Sequence, residues 1–276
     1  MNKIIITGSN GFIGKHVSKY FKKKYKIIEL SSSKKTKKNL KWEMGKKLPI
    51  KNLNNTFFFH FAFDSNLNEK SNELKNNINF TETVNLSNEI EQKKNSKFFY
   101  ISSQTSNKNA KSSYGKIKYL IEKKISKNKC TKIIVPGLVY HKNNSKVVST
   151  LKTLAKLKFF LIFDNKKNIY PIHIEDFCLF LDKILFDNKR KKYYLGSKKP
   201  INLKQLINYI CVENKISKPI FINLPISIIY FFSNIVDMMN IFKTSIAERI
   251  DSLTKLNKIN TNKTIKDFRF KFKFNF

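Results

Sequence analysis

Arginine is nearly absent from this 276-residue chain, although its formal net charge is +36. Only Arg190, Arg249 and Arg269 occur, and the remaining basic residues are lysines spread along the whole sequence. Proteins that read DNA sequence gather basic residues into a patch and favour arginine, because its guanidinium forms bidentate contacts with phosphates and bases. The composition therefore argues against specific nucleic-acid recognition. A basic surface still attracts anionic ligands and acidic membranes.

Cysteine is also scarce. Cys130, Cys178 and Cys211 lie far apart, and none of them forms a CxxC pair or a ligand spacing with histidine. We therefore predict neither a disulfide framework nor a metal site. Three reduced thiols are typical of a cytoplasmic protein, and the strand-like run that opens the sequence predicts no signal peptide.

Glycine occurs only seven times, yet three glycines fall within the single stretch "TGSNGFIG". They stand between the first apolar run and the first helical pattern, where a tight turn needs positive φ and a pyrophosphate needs close approach to the backbone. The N-terminus of the following helix presents free N–H groups to phosphates. We therefore predict that a dinucleotide cofactor binds here. The predicted contacts are Gly8, Asn10, Gly11, Phe12, Ile13 and Gly14.

The end of the second apolar run bears on the choice of cofactor. An acid at this position would hydrogen-bond the adenosine ribose of NAD, but the sequence reads "ELSSSKK" and Glu29 comes slightly too early. Ser31 and Ser32, with Lys34 and Lys35, suit a 2′-phosphate instead. We predict NADP, with NAD as the open alternative.

Apolar runs alternate with helical patterns along most of the chain, which predicts an α/β protein with a Rossmann-like, doubly wound parallel sheet. A smaller, mostly helical C-terminal region should form a cap. We assign residues 1–140 and about 169–199 to the sheet domain, and about 141–168 and 200–276 to the cap. The strand-like runs are residues 3–7, 25–30, 56–63, 97–103, 132–140 and 192–197, and the helical patterns are 12–24, 72–94, 113–127 and 175–186.

Residues 219–242 form the most apolar segment, but its uninterrupted core spans only Ile226–Phe232 and polar residues follow. This is too short and too polar to predict a membrane span. A buried or partner-facing helix is favoured, and a helix lying on a membrane surface stays open.

A serine pair and a Tyr/Lys pair supply the candidate chemistry. Strand 97–101 should carry Ser102 and Ser103 to the carboxyl edge of the sheet, and Tyr114 and Lys118 lie one turn apart on the next helix. An ammonium about 4 Å from a phenol favours the phenolate by roughly 4 kcal/mol, or about 3 pKa units. The sequence therefore predicts a tyrosine that exchanges protons with a substrate oxygen near neutral pH.

Seven stretches, in order, make the sequence resemble the extended short-chain dehydrogenase/reductases of the NAD-dependent epimerase/dehydratase family. They are "TGSNGFIG", "HFAF" (60–63), "NINFT" (77–81), "YISSQTS" (100–106), "YGKIK" (114–118), "PGLVY" (136–140) and "YPIHIEDF" (170–177). The resemblance implies hydride transfer with NAD(P) on a nucleotide-linked sugar.

The resemblance also implies roles for single residues. Ser103 matches the catalytic Ser/Thr, Tyr114 the acid/base, and Lys118 the lysine that lowers the tyrosine pKa and binds the nicotinamide ribose. Further positions match the cofactor lining (Phe61, Ala62, Ser102), the residue beside the nicotinamide (Pro136), a structural asparagine (Asn77) and a motif joining the two domains (His173, Asp176).

Departures from the family pattern narrow the reaction. The acids that expel water in 4,6-dehydratases are replaced here by Gln104 and Thr105, which argues against that chemistry. An epimerase and a 4-ketoreductase stay open. The alternative is a non-catalytic nucleotide-binding assembly protein whose basic, apolar C-terminal region contacts a membrane or a partner. The resemblance also implies a homodimer through the helices that bear the tyrosine.

Overall fold

A computed structural model describes residues 3–33, 40–65, 74–110, 112–141, 146–162, 166–238 and 256–274. The strands are β1 (Lys3–Thr7), β2 (Lys26–Ser31), β3 (Leu40–Lys41), β4 (Thr56–His60), β5 (Lys97–Ile101), β6 (Thr131–Pro136), β7 (Leu138–Tyr140), β8 (Phe159–Ile162), β9 (Pro171–His173), β10 (Lys192–Leu195) and β11 (Ile220–Asn223). The helices are α1 (Phe12–Phe21), α2 (Ile78–Glu91), α3 (Ser113–Ile125), α4 (Lys146–Ala155), α5 (Ile174–Ile184), α6 (Leu203–Glu213), α7 (Ile226–Met238) and α8 (Thr261–Asp267).

Seven parallel strands form the central sheet in the order β10-β6-β5-β4-β1-β2-β3. The order reverses at β1, so the carboxyl ends of β1 and β4 flank a crevice of the kind in which doubly wound folds bind ligands. The predicted fold class is confirmed.

Both faces of the sheet are covered, which explains why its strands are continuously apolar rather than alternating. Ile4 and Ile6 of β1 pack with α1 and α5 on one face. Ile5 points to the other face, where it shares a core with Ile117 and Ile121 of α3. A strand buried on both sides needs this composition.

A smaller part of the chain lies outside the sheet. Helices α4 and α6 pack together with a two-stranded parallel sheet of β8 and β11 around a separate apolar cluster. The apolar stretch 219–242 supplies β11 and then α7, and its last residues, 239–242, lie outside the described part of the chain. None of the described helices combines the length and hydropathy that crossing a membrane requires.

The segment 259–274 differs from the prediction that assigned it to the cap. Phe270 is buried in the same cluster as β1 and α5, and Phe268 and Phe272 pack against it. The carboxylate of Asp176, which is fully buried in α5, accepts the backbone N–H groups of Lys273 and Phe274 at 2.9 and 3.1 Å. The segment therefore completes the sheet domain.

Candidate cofactor and catalytic site

The glycine loop lies where β1 passes into α1. Gly8 has a φ of +65°, and a Cβ there would lie 2.7 Å from the backbone nitrogen of Ala62 and 2.8 Å from the carbonyl carbon of Phe61. Gly14 lies so close to Gly8 that a side chain there would strike the Gly8 carbonyl. The structure thus brings the loop and the Phe61–Ala62 segment, two predicted cofactor-binding regions, into direct contact.

The N-terminus of α1 is open towards this loop. Gly11 is the N-cap and offers no side-chain hydrogen bond, and the first turn, which begins with Phe12 and Ile13, carries no acid. Free N–H groups and the positive end of the helix dipole suit an anionic group. These features fit the pyrophosphate of a dinucleotide.

The carboxyl end of β2 is joined to the glycine loop by the side chain of Asn10. Its amide donates to the Ser31 hydroxyl at 2.9 Å and to the Ser33 carbonyl at 2.7 Å. Glu29 turns the other way, because its carboxylate accepts from Ser18 and pairs with Lys22 at 2.8 Å. Ser32 is exposed at this edge, and the predicted Lys34 and Lys35 lie outside the described residues.

Ser103 and Tyr114 are brought together across the end of β5 and the start of α3. The Ser103 hydroxyl is a neighbour of the Tyr114 phenol that lowers its pKa. The Ser103 oxygen also accepts from the Thr105 backbone N–H at 3.2 Å, and the two hydroxyls lie 2.9 Å apart. Ser112 caps α3 by accepting from the Gly115 N–H, which fixes the first turn that carries Tyr114.

Lys118 lies beneath Tyr114 and is 5 % exposed. Its Nζ donates to the Ile101 carbonyl at 2.8 Å and lies 5.7 Å from the centre of the Tyr114 ring. The ring of Phe63 contacts both groups, at 4.8 Å from the ammonium and 4.9 Å from the Tyr114 ring centre.

The charge states differ from the prediction made for the Tyr/Lys pair. Burial raises the pKa of Tyr114, and the hydrogen bond with Ser103 offsets this only in part. Burial also lowers the pKa of Lys118 to about 7, with the charge of Glu122 acting in the opposite direction. The expected lowering of the tyrosine pKa is therefore wrong for this arrangement, because desolvation of the phenol is the dominant effect.

A buried carboxylate completes the polar cluster, and sequence reasoning missed it. Glu122 accepts from the Ser102 hydroxyl, and its other oxygen pairs with Lys192 of β10 at 2.5 Å. Glu122 follows Lys118 by four residues, so helical spacing would have placed both on one face. Ser102, a predicted cofactor contact, is 4 % exposed and donates its hydroxyl to Glu122.

The N-terminal part of the sequence matches a known protein family. Residues 4–128 match the sequence profile described as "NAD dependent epimerase/dehydratase family". The matched residues contain the glycine loop, β5 and the helix that carries Tyr114 and Lys118. No curated protein matches the sequence.

Three solved structures align over at least 98 % of this chain. They are the protein gox2253 (TM-score 0.70, 16 % identity, covering 98 % of this chain and 93 % of that one), an L-threonine dehydrogenase from Clostridium difficile (0.65, 14 %, 100 % and 94 %) and a dTDP-glucose 4,6-dehydratase from Bacillus anthracis in complex with NAD (0.63, 14 %, 99 % and 92 %). Identities this low establish a shared fold.

Gln104 stands at one of the two positions where the resemblance places the acids of dehydratases, and its side chain is engaged in hydrogen bonds. The Gln104 amide donates to the Asn168 carbonyl and, at 2.7 Å, to the Asn257 carbonyl. Its backbone N–H donates to the carbonyl of Pro136 at 3.1 Å, which places Pro136 beside the Ser103 loop. Gln104 therefore ties this loop to the segments on either side.

The remaining family motif residues hold backbone in place. Asn77 is the N-cap of α2 and accepts from the Asn79 N–H at 2.9 Å. His173 is the N-cap of α5, and its ring lies 3.8 Å from the ring of Phe274. Within the described part of the chain, no three His, Cys, Asp or Glu side chains are grouped to hold a metal ion.

The buried ammonium of Lys118 makes stability depend on pH. The unfolded chain retains this proton up to its ordinary pKa of 10.5, whereas the folded chain releases it near pH 7. The unfolded state therefore binds more protons between these values, and the free energy of unfolding should rise with pH. We expect wild type to gain up to about 3 kcal/mol relative to Lys118→Met between about pH 7 and 9.5 in urea unfolding.

The matched control is Lys116→Met on the same helix. Between about pH 7 and 9.5, the free energy of unfolding of wild type relative to Lys116→Met should not rise by a comparable amount. A wild-type-to-Lys118→Met difference that stays constant with pH would show that Lys118 keeps its proton in the folded protein.

Proposed function

We propose that the protein is an NAD(P)-dependent enzyme that transfers hydride to or from a nucleotide-linked sugar. The observation that carries this proposal is the grouping of Ser103, Tyr114 and the buried Lys118. The pair lies at the carboxyl edge of the sheet, where the glycine loop and the open N-terminus of α1 suit a dinucleotide. The bound NAD(P) would supply the hydride donor or acceptor.

Tyr114 is the group that moves the proton. Because its pKa is raised, the phenol is protonated at neutral pH and can donate to a sugar ketone oxygen as that oxygen gains negative charge. Ser103 donates a second hydrogen bond to the same oxygen and orients it. The reductive direction therefore suits the protonation state of this site, whereas the first half of an epimerisation needs Tyr114 to accept a proton.

Lys118 would return a proton to Tyr114 and hold the nicotinamide ribose. Its pKa of about 7 means that it can lose and regain a proton near neutral pH. Glu122 acts as a positioning residue, because it favours the charged form of Lys118 and fixes Ser102. In the reductive direction the carbonyl carbon receives one hydride, which the bound cofactor would supply, and the carbonyl oxygen receives one proton from Tyr114.

We favour NADP as the cofactor. Glu29 is engaged with Ser18 and Lys22, so the end of β2 presents serines rather than a carboxylate. Ser32→Asp should weaken NADPH binding about tenfold by placing a negative charge beside the 2′-phosphate, and should leave NADH binding unchanged. Titration calorimetry measures both affinities. Ser126→Asp, exposed at the end of α3, adds the same charge elsewhere. Equal NADPH affinity in wild type and Ser32→Asp would contradict this assignment.

Substrate recognition is assigned to the part of the chain outside the sheet, residues 141–168 and 200–258. Loops above the carboxyl edge of such sheets select the ligand. The homodimer through the tyrosine-bearing helices (α3 of each copy) and the cytoplasmic location stay predictions that follow from the resemblance and the composition.

An assay with defined products tests the proposal. Purified protein is supplied with NADPH or NADH and a panel of UDP- and dTDP-linked sugars and their 4-keto forms. Cofactor oxidation on a 4-keto sugar supports a reductase, and conversion of a sugar without net cofactor change supports an epimerase. Cofactor binding without turnover on any member of the panel would favour the non-catalytic assembly protein.

A further inference from the structure

Exposed apolar side chains are concentrated in two segments. Of thirteen large hydrophobic residues that are exposed in the described part of the chain, nine lie within residues 154–161 and 220–231. These nine are Leu154, Leu157, Phe159, Leu161, Ile220, Ile222, Ile226, Ile228 and Phe231. Single exposed apolar residues are ordinary, but a contiguous patch marks an interaction surface.

Four of these residues form one face of the small sheet. In the β8–β11 register, Phe159 lies opposite Ile220 and Leu161 opposite Ile222. Side chains alternate along a strand, so all four project from the same side. They are 48 %, 55 %, 49 % and 38 % exposed in that pairing order, whereas Phe160 on the opposite side is 8 % exposed. We call these four residues the apolar sheet face.

Lysines border this face at the end where both strands begin. The backbone N–H of Ile220 donates to the Lys158 carbonyl at 2.9 Å, so the starts of the strands are adjacent. Lys156, Lys158 and Lys218 are all exposed there, and the Lys158 Nζ lies 5.7 Å from the Phe159 ring centre. Residues 151–163 and 214–236 contain no Asp or Glu. The two segments that form the face and its lysine border therefore carry positive charges only.

The charges around the apolar sheet face indicate which kind of partner covers it. A second copy would bring the same lysines against this border, and each chain carries a net charge of +36, so repulsion opposes self-association. Interfaces between proteins are also depleted in lysine. Lysine beside apolar side chains instead suits a lipid surface, where the aliphatic stem packs on the hydrocarbon and the ammonium reaches anionic headgroups.

We infer that the apolar sheet face docks onto the surface of an anionic lipid bilayer. Phe159, Leu161, Ile220 and Ile222 enter the boundary between headgroups and acyl chains, and Lys156, Lys158 and Lys218 contact lipid phosphates. None of these residues belongs to the cofactor or catalytic set. The inference therefore stands independently of the proposed enzymatic activity.

Vesicle sedimentation tests the inference with the complete chain. Wild type should sediment with vesicles that contain phosphatidylglycerol and not with pure phosphatidylcholine vesicles. Phe159→Ser/Leu161→Ser leaves the net charge unchanged and should weaken binding about tenfold, since two half-exposed side chains no longer enter the bilayer. The control is Phe186→Ser, because Phe186 is 62 % exposed and follows the C-terminus of α5, outside the apolar sheet face.

Two results would overturn the inference. Vesicle binding that is equal in wild type and Phe159→Ser/Leu161→Ser would show that general charge attraction alone recruits the protein. Self-association of wild type in analytical ultracentrifugation, lost in the same variant and accompanied by no vesicle binding, would make a second copy the occupant. Thermal melting verifies that both variants remain folded.

A tryptophan reporter gives a second readout. The natural tryptophan, Trp42, is 4 % exposed and lies in the core of the sheet domain. Leu161→Trp should be quenched by brominated phosphatidylglycerol vesicles, and Phe186→Trp should not. Equal quenching of the two variants would exclude a defined orientation on the membrane.

Discussion

Tyr114→Phe should lower kcat by about 10²- to 10⁴-fold, which is the usual contribution of a positioned proton donor. The phenylalanine ring keeps the edge contact with Phe63 but has no hydroxyl to hydrogen-bond with Ser103 or to donate to a substrate. Cofactor affinity should change little, because the glycine loop and the N-terminus of α1 are untouched. Turnover of a nucleotide-sugar substrate and cofactor titration together provide the measurement.

Tyr119→Phe is the matched control for this variant. Tyr119 lies on the same helix and is partly exposed. Its replacement by phenylalanine also removes one phenolic hydroxyl, but leaves Ser103 and Tyr114 unchanged. This variant should retain full activity. Turnover in Tyr114→Phe equal to that in Tyr119→Phe would remove Tyr114 from the mechanism, whatever its effect on stability.

Gly8→Ala should abolish useful cofactor binding, with an affinity loss of about a hundredfold or more. Alanine is unfavourable at this position for two reasons. The backbone φ is +65°, and the added methyl would lie 2.7 Å from the Ala62 nitrogen. Relief requires the loop to move away from Phe61–Ala62, which displaces the backbone N–H groups that would face a bound pyrophosphate. Titration calorimetry with NADPH measures the loss.

Gly45→Ala separates backbone strain from the role of the loop. Gly45 has a φ of +82°, but a methyl there meets only the flexible end of Ile78 at 3.0 Å. This variant should lose about 1–2 kcal/mol of unfolding free energy and keep its cofactor affinity. If both alanine variants bound NADPH as wild type does, the glycine loop would not be the pyrophosphate site.

The sheet domain was predictable because its signals are local and agree with one another. Strands such as 3–7 and 97–101 are short apolar runs without internal breaks, and the glycine loop follows the first of them at once. The contact of Ser103 with Tyr114 was also expected, because strand β5 and helix α3 have fixed places in an alternating α/β pattern.

The charge states of the site could not be read from spacing. The sequence sets Tyr114 and Lys118 one turn apart, but their pKa values depend on how completely the fold removes water from them. Glu122 was missed because its partner Lys192 is seventy residues away, on a strand at the edge of the sheet. The packing of segment 259–274 is equally non-local, since its aromatic side chains fill space left between elements formed much earlier in the sequence.

The anchoring of Lys273 and Phe274 by Asp176 affects how the protein must be synthesised. Phe268, Phe270 and Phe272 pack into a core whose other walls, β1 and α5, have left the ribosome tunnel long before those aromatic residues are translated. During synthesis this interior stays incomplete, and an uncompensated carboxylate faces it, until about a hundred more residues have been added. The sheet domain can therefore complete its core only when the end of the described chain has been synthesised.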